Sequence, residues 1–164
     1  MKLNRLFIAT LAILCATLVG CNNGPKKPAD LPKLNPTTIK IVYDDGTPVD
    51  GAQVALRLAQ QSGGRTWNLT GLTDAQGKLV LKTDGNWDGA PAGSYQVMVT
   101  KQVDEFEATG DEVGAGMKLK SVTRMVSEKY NDPTTSGLTV EIKDGPNEFE
   151  LKVGEKIEEA VKML

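Results

Sequence analysis

The chain has 164 residues, with 19 Lys and Arg against 21 Asp and Glu, two Cys and no His. That length suits one ordinary domain with appendages, and a net charge of -2 speaks against a nucleic-acid partner, which needs a basic face or stripe. The missing histidines remove Ser-His-Asp and Cys-His nucleophiles, His-ligated zinc and a histidine general base. The chain is therefore expected not to be an enzyme.

Lys2 and Arg5 precede an uncharged run at 6–19, LFIATLAILCATLV. The run is shorter than the roughly 20 apolar residues of a spanning helix and fits the apolar region of a signal peptide. It ends in Leu18-Val19-Gly20-Cys21, which resembles the bacterial lipobox, where a peptidase cuts before a cysteine carrying diacylglycerol. The resemblance implies a lipoprotein signal peptide over 1–20, lipidation at Cys21, and acyl chains, palmitate among them, that make the membrane a partner. Cys15 would leave with the signal, and the Cys21 sulfur would become a thioether. Asn22 resembles an outer-membrane sorting signal, so the implied place is the bacterial cell envelope at the outer membrane.

Residues 21–36 then read as the lipidated cysteine and a linker holding Pro25, Pro28, Pro32 and Pro36. Such a segment prefers extended polyproline II, and its fifteen residues after the cysteine reach roughly 45 Å. From Thr37 the period becomes two. Ile39, Ile41 and Tyr43 alternate with polar or opposite-facing neighbours, as do Val54, Leu56 and Leu58, then Leu79 and Leu81. Tyr95, Val97 and Val99, then Leu138, Val140 and Ile142, then Phe149, Leu151 and Val153 repeat the pattern. Turn signals separate these runs, so the residues predict about seven short antiparallel strands with one dry face, a sandwich or barrel over 37–153. The acidic, Gly-rich run 102–116 predicts a long loop. Over 154–164, Ile157, Val161 and Leu164 on one stripe predict a short amphipathic tail helix.

Three runs resemble the carboxypeptidase regulatory-like domain. They are Asp45-Gly46-Thr47-Pro48-Val49 followed by Gly51-Ala52 and Val54, Thr73-Asp74 with Gly77 and Leu79, and Pro91-Ala92-Gly93 with Tyr95, Val97 and Val99. Downstream, Glu128-Lys129-Tyr130 and Asp132-Pro133, with Thr135 to Leu138, resemble small bacterial surface lipoproteins carrying that domain. The resemblance implies a Greek-key β-sandwich of transthyretin (prealbumin) type, non-catalytic in itself. The residues carry their own structural reasons. Gly46 and Gly77 suit turns needing positive φ, and Gly51 beside Ala52 allows close packing. Gly93 before Tyr95 suits a corner in which the phenol bonds the backbone.

The candidate chemistry is sparse. Asp84-Gly85-Asn86-Trp87-Asp88-Gly89 matches the first half of an EF-hand loop, with oxygens from Asp84, Asn86 and Asp88. The twelfth position is Tyr95 and the flanks read as strands, which excludes an EF-hand and leaves a calcium site of another geometry beside a plain polar turn. Asp104, Glu105, Glu107, Asp111 and Glu112 read as a solvated acidic run or a second cation candidate. Trp87 and Trp67 are candidates for stacking on a sugar, with core or rim packing as the other reading. Tyr130 reads as a packed anchor. Lys40 and Asn147 stand near the places where similar sandwich adhesins form an internal amide, although Lys40 alternates onto the outer face. Hydrolases of similar fold that act on hydroxyisourate rely on histidines, which this chain lacks. The expected function is a lipid-anchored, non-enzymatic envelope module, structural or protein-interacting. Carbohydrate binding, with or without calcium, is the alternative, and no other cofactor is expected.

Overall fold

The computed structural model describes residues 25–60, 65–109 and 116–162. The signal segment, Cys21 and the tip of the acidic run therefore lie outside the described residues. The chain divides into Met1–Leu31 and Pro32–Leu164. In the first unit a turn is closed by the Leu31 amide donating to the Pro28 carbonyl at 3.2 Å.

The second unit is all-β, with twelve strands and no α-helix among the described residues. In chain order the first six are β1 (Thr37–Val42), β2 (Gln53–Leu58), β3 (Leu69–Leu72), β4 (Lys78–Val80), β5 (Lys82–Thr83) and β6 (Trp87–Asp88). They are followed by β7 (Gly93–Thr100), β8 (Gln102–Thr109), β9 (Gly116–Arg124), β10 (Thr139–Ile142), β11 (Asn147–Lys152) and β12 (Glu159–Lys162). A 3-10 turn at Glu128–Asn131 buries Tyr130.

Three sheets form, ordered β11-β1-β4, β10-β7-β2-β3-β5-β6 and β12-β9-β8. The first two share one core. Ile39, Ile41, Leu79 and Leu81 come from one side, and Val54, Leu56, Leu69, Val97, Val99, Val140 and Ile142 from the other. These residues hold the period-two positions, and each fully buried Val, Leu or Ile contributes about 1.5–3 kcal/mol. Leu81 is the corner between the sheets: the strand before it pairs with β1, the strand after it with β3.

Glycine geometry follows the turn chemistry. Gly46, Gly51 and Gly77 take φ of 85°, 59° and 72°. Gly77 is the tightest, because a Cβ there would stand 2.4 Å from the Ile41 carbonyl oxygen. Gly93 takes a φ of 157°. Beside it the buried Tyr95 donates its phenol to the Pro91 carbonyl at 3.0 Å, and burial raises that phenol's pKa.

The structure corrects four expectations. The strands are not all antiparallel: β1 pairs with β11 in parallel, Ile39 opposite Phe149 and Ile41 opposite Leu151. No local turn joins these strands, so nothing forces them to run oppositely. The described part of the tail, 154–162, is not a helix. Glu159–Lys162 forms β12 against β9, Val161 opposite Val122. A ten-residue helix is marginal alone, and the open edge of β9 offers the same backbone a full ladder. The run 102–116 is not a loop in its first half, because 102–109 is the whole of β8. Finally, Lys40 and Asn147 do not meet. Lys40 Nζ binds Glu150 Oε2 at 2.9 Å. The Asn147 side-chain amide instead closes the turn before β11, donating to the Lys143 and Gly145 carbonyls.

The domain also begins before Thr37. Asn35 is 1% exposed, its backbone pairs with Ala90, and its Oδ1 accepts from the Gly145 amide at 3.0 Å.

Candidate functional site

Three places combine exposure with chemistry. The first is the hairpin between β5 and β6. Asp84 and Gly85 both take positive φ, 48° and 70°, the backbone demand that makes Asp-Gly a hairpin signal. Asp84 Oδ1 accepts from the Asn68 amide at 3.0 Å, and Oδ2 lies 3.4 Å from Arg65 Nη2. Asp88 binds Lys82 at 2.6 Å, while the Asn86 side-chain amide donates to the Asp84 carbonyl. The three side chains thus face separate protein partners. No group of three acidic, Cys or His side chains is gathered for a metal among the described residues. Trp87 lies opposite Thr83, which is buried. Opposite residues share a face, so the half-buried indole stands on the core side of its edge strand.

The second place is a cleft of about 410 Å³ whose lining includes Arg57, Trp67, Asn68, Pro91, Tyr95 and Met98. Trp67 packs on the core and carries the Arg65 guanidinium 4.1 Å above its ring. Arg65 thereby bridges the indole face and Asp84, a cation–π stack that fixes the segment leading into β3. Of the two tryptophans singled out, Trp67 lines this cleft beside Arg57 and Asn68.

The third place is the sheet β12-β9-β8, where sequence reasoning saw only acidic loop and helix. Residues 102–107 are all exposed, and among the described residues β8 pairs with β9 alone. Alternation puts Val103, Glu105 and Glu107 on one face of β8 and Gln102, Asp104 and Phe106 on the other. Glu105 accepts from Lys120 Nζ at 2.8 Å and Ser121 Oγ at 2.9 Å. These bonds hold its carboxyl below the usual carboxylate range and raise the Lys120 pKa. On the other face Phe106 lies across from Leu119, and Asp104 across from Val122, itself flanked by Val161. Val103, Phe106 and Met117 remain 52%, 51% and 74% exposed, although exposed apolar side chains gathered on one sheet are a mark of binding surfaces. The alternation of Met117 with Leu119, and Phe106 amid acids, were the available sequence signals.

Neither a protein-family model nor a curated protein matches the chain. Among solved structures, a 9R-lipoxygenase from Cyanothece PCC8801 is similar at a TM-score of 0.39 and 14% identity over 93% of this chain. The chain spans 21% of that protein's length, and a likeness this slight carries no argument about fold or activity.

Proposed function

We propose that this chain is a lipid-anchored, non-enzymatic module of the bacterial cell envelope that works by binding another protein. In this reading residues 1–20 are a lipoprotein signal peptide, Cys21 carries the acyl chains at the outer membrane, and the following Pro-rich segment is the tether. The sheets that share the core are a Greek-key sandwich of transthyretin type, as the resemblance of residues 45–54, 73–79 and 91–99 to carboxypeptidase regulatory-like domains implies. The observation that carries the interaction role is the sheet β12-β9-β8, an ordered ladder whose outer strand β8 pairs on one side alone among the described residues and exposes Val103 and Phe106. Sheet edges of this kind accept an added strand.

The test is a photo-crosslinking residue placed at Val103 in intact bacteria, with the same residue at Val80 as control. Val80 is equally exposed at 52% but sits on β4. A discrete protein adduct from position 103 alone is the expected result, together with loss of palmitate-analogue incorporation in Cys21→Ala. Equal adducts from both positions, or none, would refute the interaction role.

A second reading is favoured by the Trp67 cleft. An indole beside Arg57 and Asn68 in a cleft of about 410 Å³ has the make-up of a saccharide site. Tryptophan emission titrated with polysaccharides, calcium present or chelated, separates the two readings. Quenching lost in Trp67→Ala would favour the glycan.

A further inference from the structure

The reading of β8 as a docking edge leaves its partner's chemistry open, and the charge pattern of the sheet supplies it. Strand β8 (QVDEFEAT) carries Asp104, Glu105 and Glu107 and no base, whereas β9 (GMKLKSVTR) carries Lys118, Lys120 and Arg124 and no acid. Charge therefore reverses from one strand to the next, and a strand lying outside β8 meets acid at its charged positions. Glu105 is already paired with Lys120. Glu107 stands across from Lys118, and its charge adds to that of Glu105 in raising the Lys120 pKa.

The edge is also regular. The ladder shifts between Glu105 and Phe106, where Glu105 pairs with Ser121 but Phe106 with Leu119. The extra residue, Lys120, belongs to β9, so β8 keeps an unbroken period of two along its free side. Acidic side chains on such an edge repel a second copy of the same strand. Antiparallel pairing of two β8 strands about Glu105 sets that carboxylate against itself, and pairing about Phe106 sets Glu105 against Glu107. Like charges directly opposite are destabilising. The same acids discriminate in favour of a cationic strand, which is specificity obtained through repulsion.

We propose that β8 receives, as a fourth strand, an extended segment of a partner protein in which Lys or Arg alternates with apolar residues. The bases lie opposite Glu105 and Glu107, and an apolar side chain covers Phe106. This proposal rests on the interaction role above and names the partner's chemistry.

The probe is a fluorescein-labelled nonapeptide of alternating Lys and Val, read by anisotropy against the full chain in non-ionic detergent. Saturable binding is expected, weakened at least about fivefold between about 0.05 and 0.5 M salt. Three changes should each cost about tenfold or more: Glu107→Lys in the protein, N-methylation of alternate probe amides, and rearrangement of the probe into a Lys block and a Val block. Glu107→Lys should also gain binding to the Glu-Val counterpart of the probe. Because Glu107 is exposed, the variant keeps the fold, and Glu107→Gln should fall between it and the native chain.

Equal binding of the alternating and block probes would reduce the effect to bulk charge and overturn the proposal. So would binding indifferent to N-methylation. Flotation of the Cys21→Ala chain with zwitterionic phosphatidylcholine vesicles, lost in Phe106→Asp, would assign the edge to lipid. Concentration-dependent self-association through β8 would assign it to a second copy. A protein adduct from position 103 in cells without probe binding would end the cationic-strand assignment alone and leave the interaction role standing.

Discussion

Thr73 offers a direct test of what holds the entry to β2. It is 3% exposed, and its Oγ1 donates to the Val49 carbonyl at 2.6 Å and accepts from the Ala52 amide at 2.7 Å. Val49 and Ala52 are themselves buried, at 1% and 0% exposure. Thr73→Val keeps the shape and removes both bonds, leaving a buried donor and a buried acceptor unsatisfied. At about 1–3 kcal/mol per orphaned group, and with one oxygen serving both, the expected loss is about 2–4 kcal/mol. With a urea slope of about 2 kcal/mol/M, the midpoint should drop by about 1–2 M at unchanged slope. Thr73→Ser keeps the hydroxyl and loses one buried methyl, about 1 kcal/mol or 0.5 M. Urea titration read by tryptophan emission measures both. A valine variant at least as stable as the serine variant would refute the hydrogen-bond argument, because packing alone would then decide.

Two further outcomes follow from the turns and the exposed carboxylates. Gly77→Ala should cost at least about 2 kcal/mol, because it combines positive φ with a Cβ 2.4 Å from the Ile41 carbonyl oxygen. Gly46→Ala has open space around its Cβ and should cost only about 1–2 kcal/mol from its φ; equal midpoints for the pair would remove the steric part of the account. Asp132, through the Thr134 hydroxyl and amide, and Asp45, through the Thr47 amide and hydroxyl, are held below the ordinary 3.8. A lowered folded pKa contributes stability present above the ordinary value and lost as pH falls through the folded one. The thermal midpoint should therefore decline below about pH 4, and Asp132→Asn should flatten that decline. A parallel decline in the variant would show that other groups carry it.

The shared core was legible because its strands are half dry. Ile39, Ile41, Val54, Val97, Val99, Val140 and Ile142 alternate in the sequence and are all buried in the structure. What stayed hidden is what local pattern does not encode. The parallel pairing of β1 with β11 joins residues 110 positions apart, and no turn residue announces it. The sheet β12-β9-β8 has no face deep in the core, so its apolar positions are diluted by charge on every strand and its period of two fades. The tail shows the competition most plainly. Ile157, Val161 and Leu164 have helical spacing, yet the backbone of 159–162 is worth more as the third strand of an existing hairpin than as two turns of isolated helix.

The same contrast underlies the proposed function. Within the two sheets that share the core, Thr37, Thr73, Thr83 and Asn35 are buried and hydrogen-bonded, and no buried side-chain polar atom is left unpartnered among the described residues. Clefts there include one of about 460 Å³ lined by Gln53, Thr70, Lys82 and Thr100 and the one of about 410 Å³ at Trp67, where Arg65 already stacks on the indole. The sheet β12-β9-β8 is the opposite case. Its outer strand β8 pairs with β9 on one side and with nothing on the other among the described residues, and its Val103 and Phe106 are half exposed. Each of the three sheets ends in strands paired on one side alone among the described residues; the interaction role proposed for β8 rests on its exposed Val103 and Phe106, and the charge reversal between β8 and β9 gives the proposed added strand its sign.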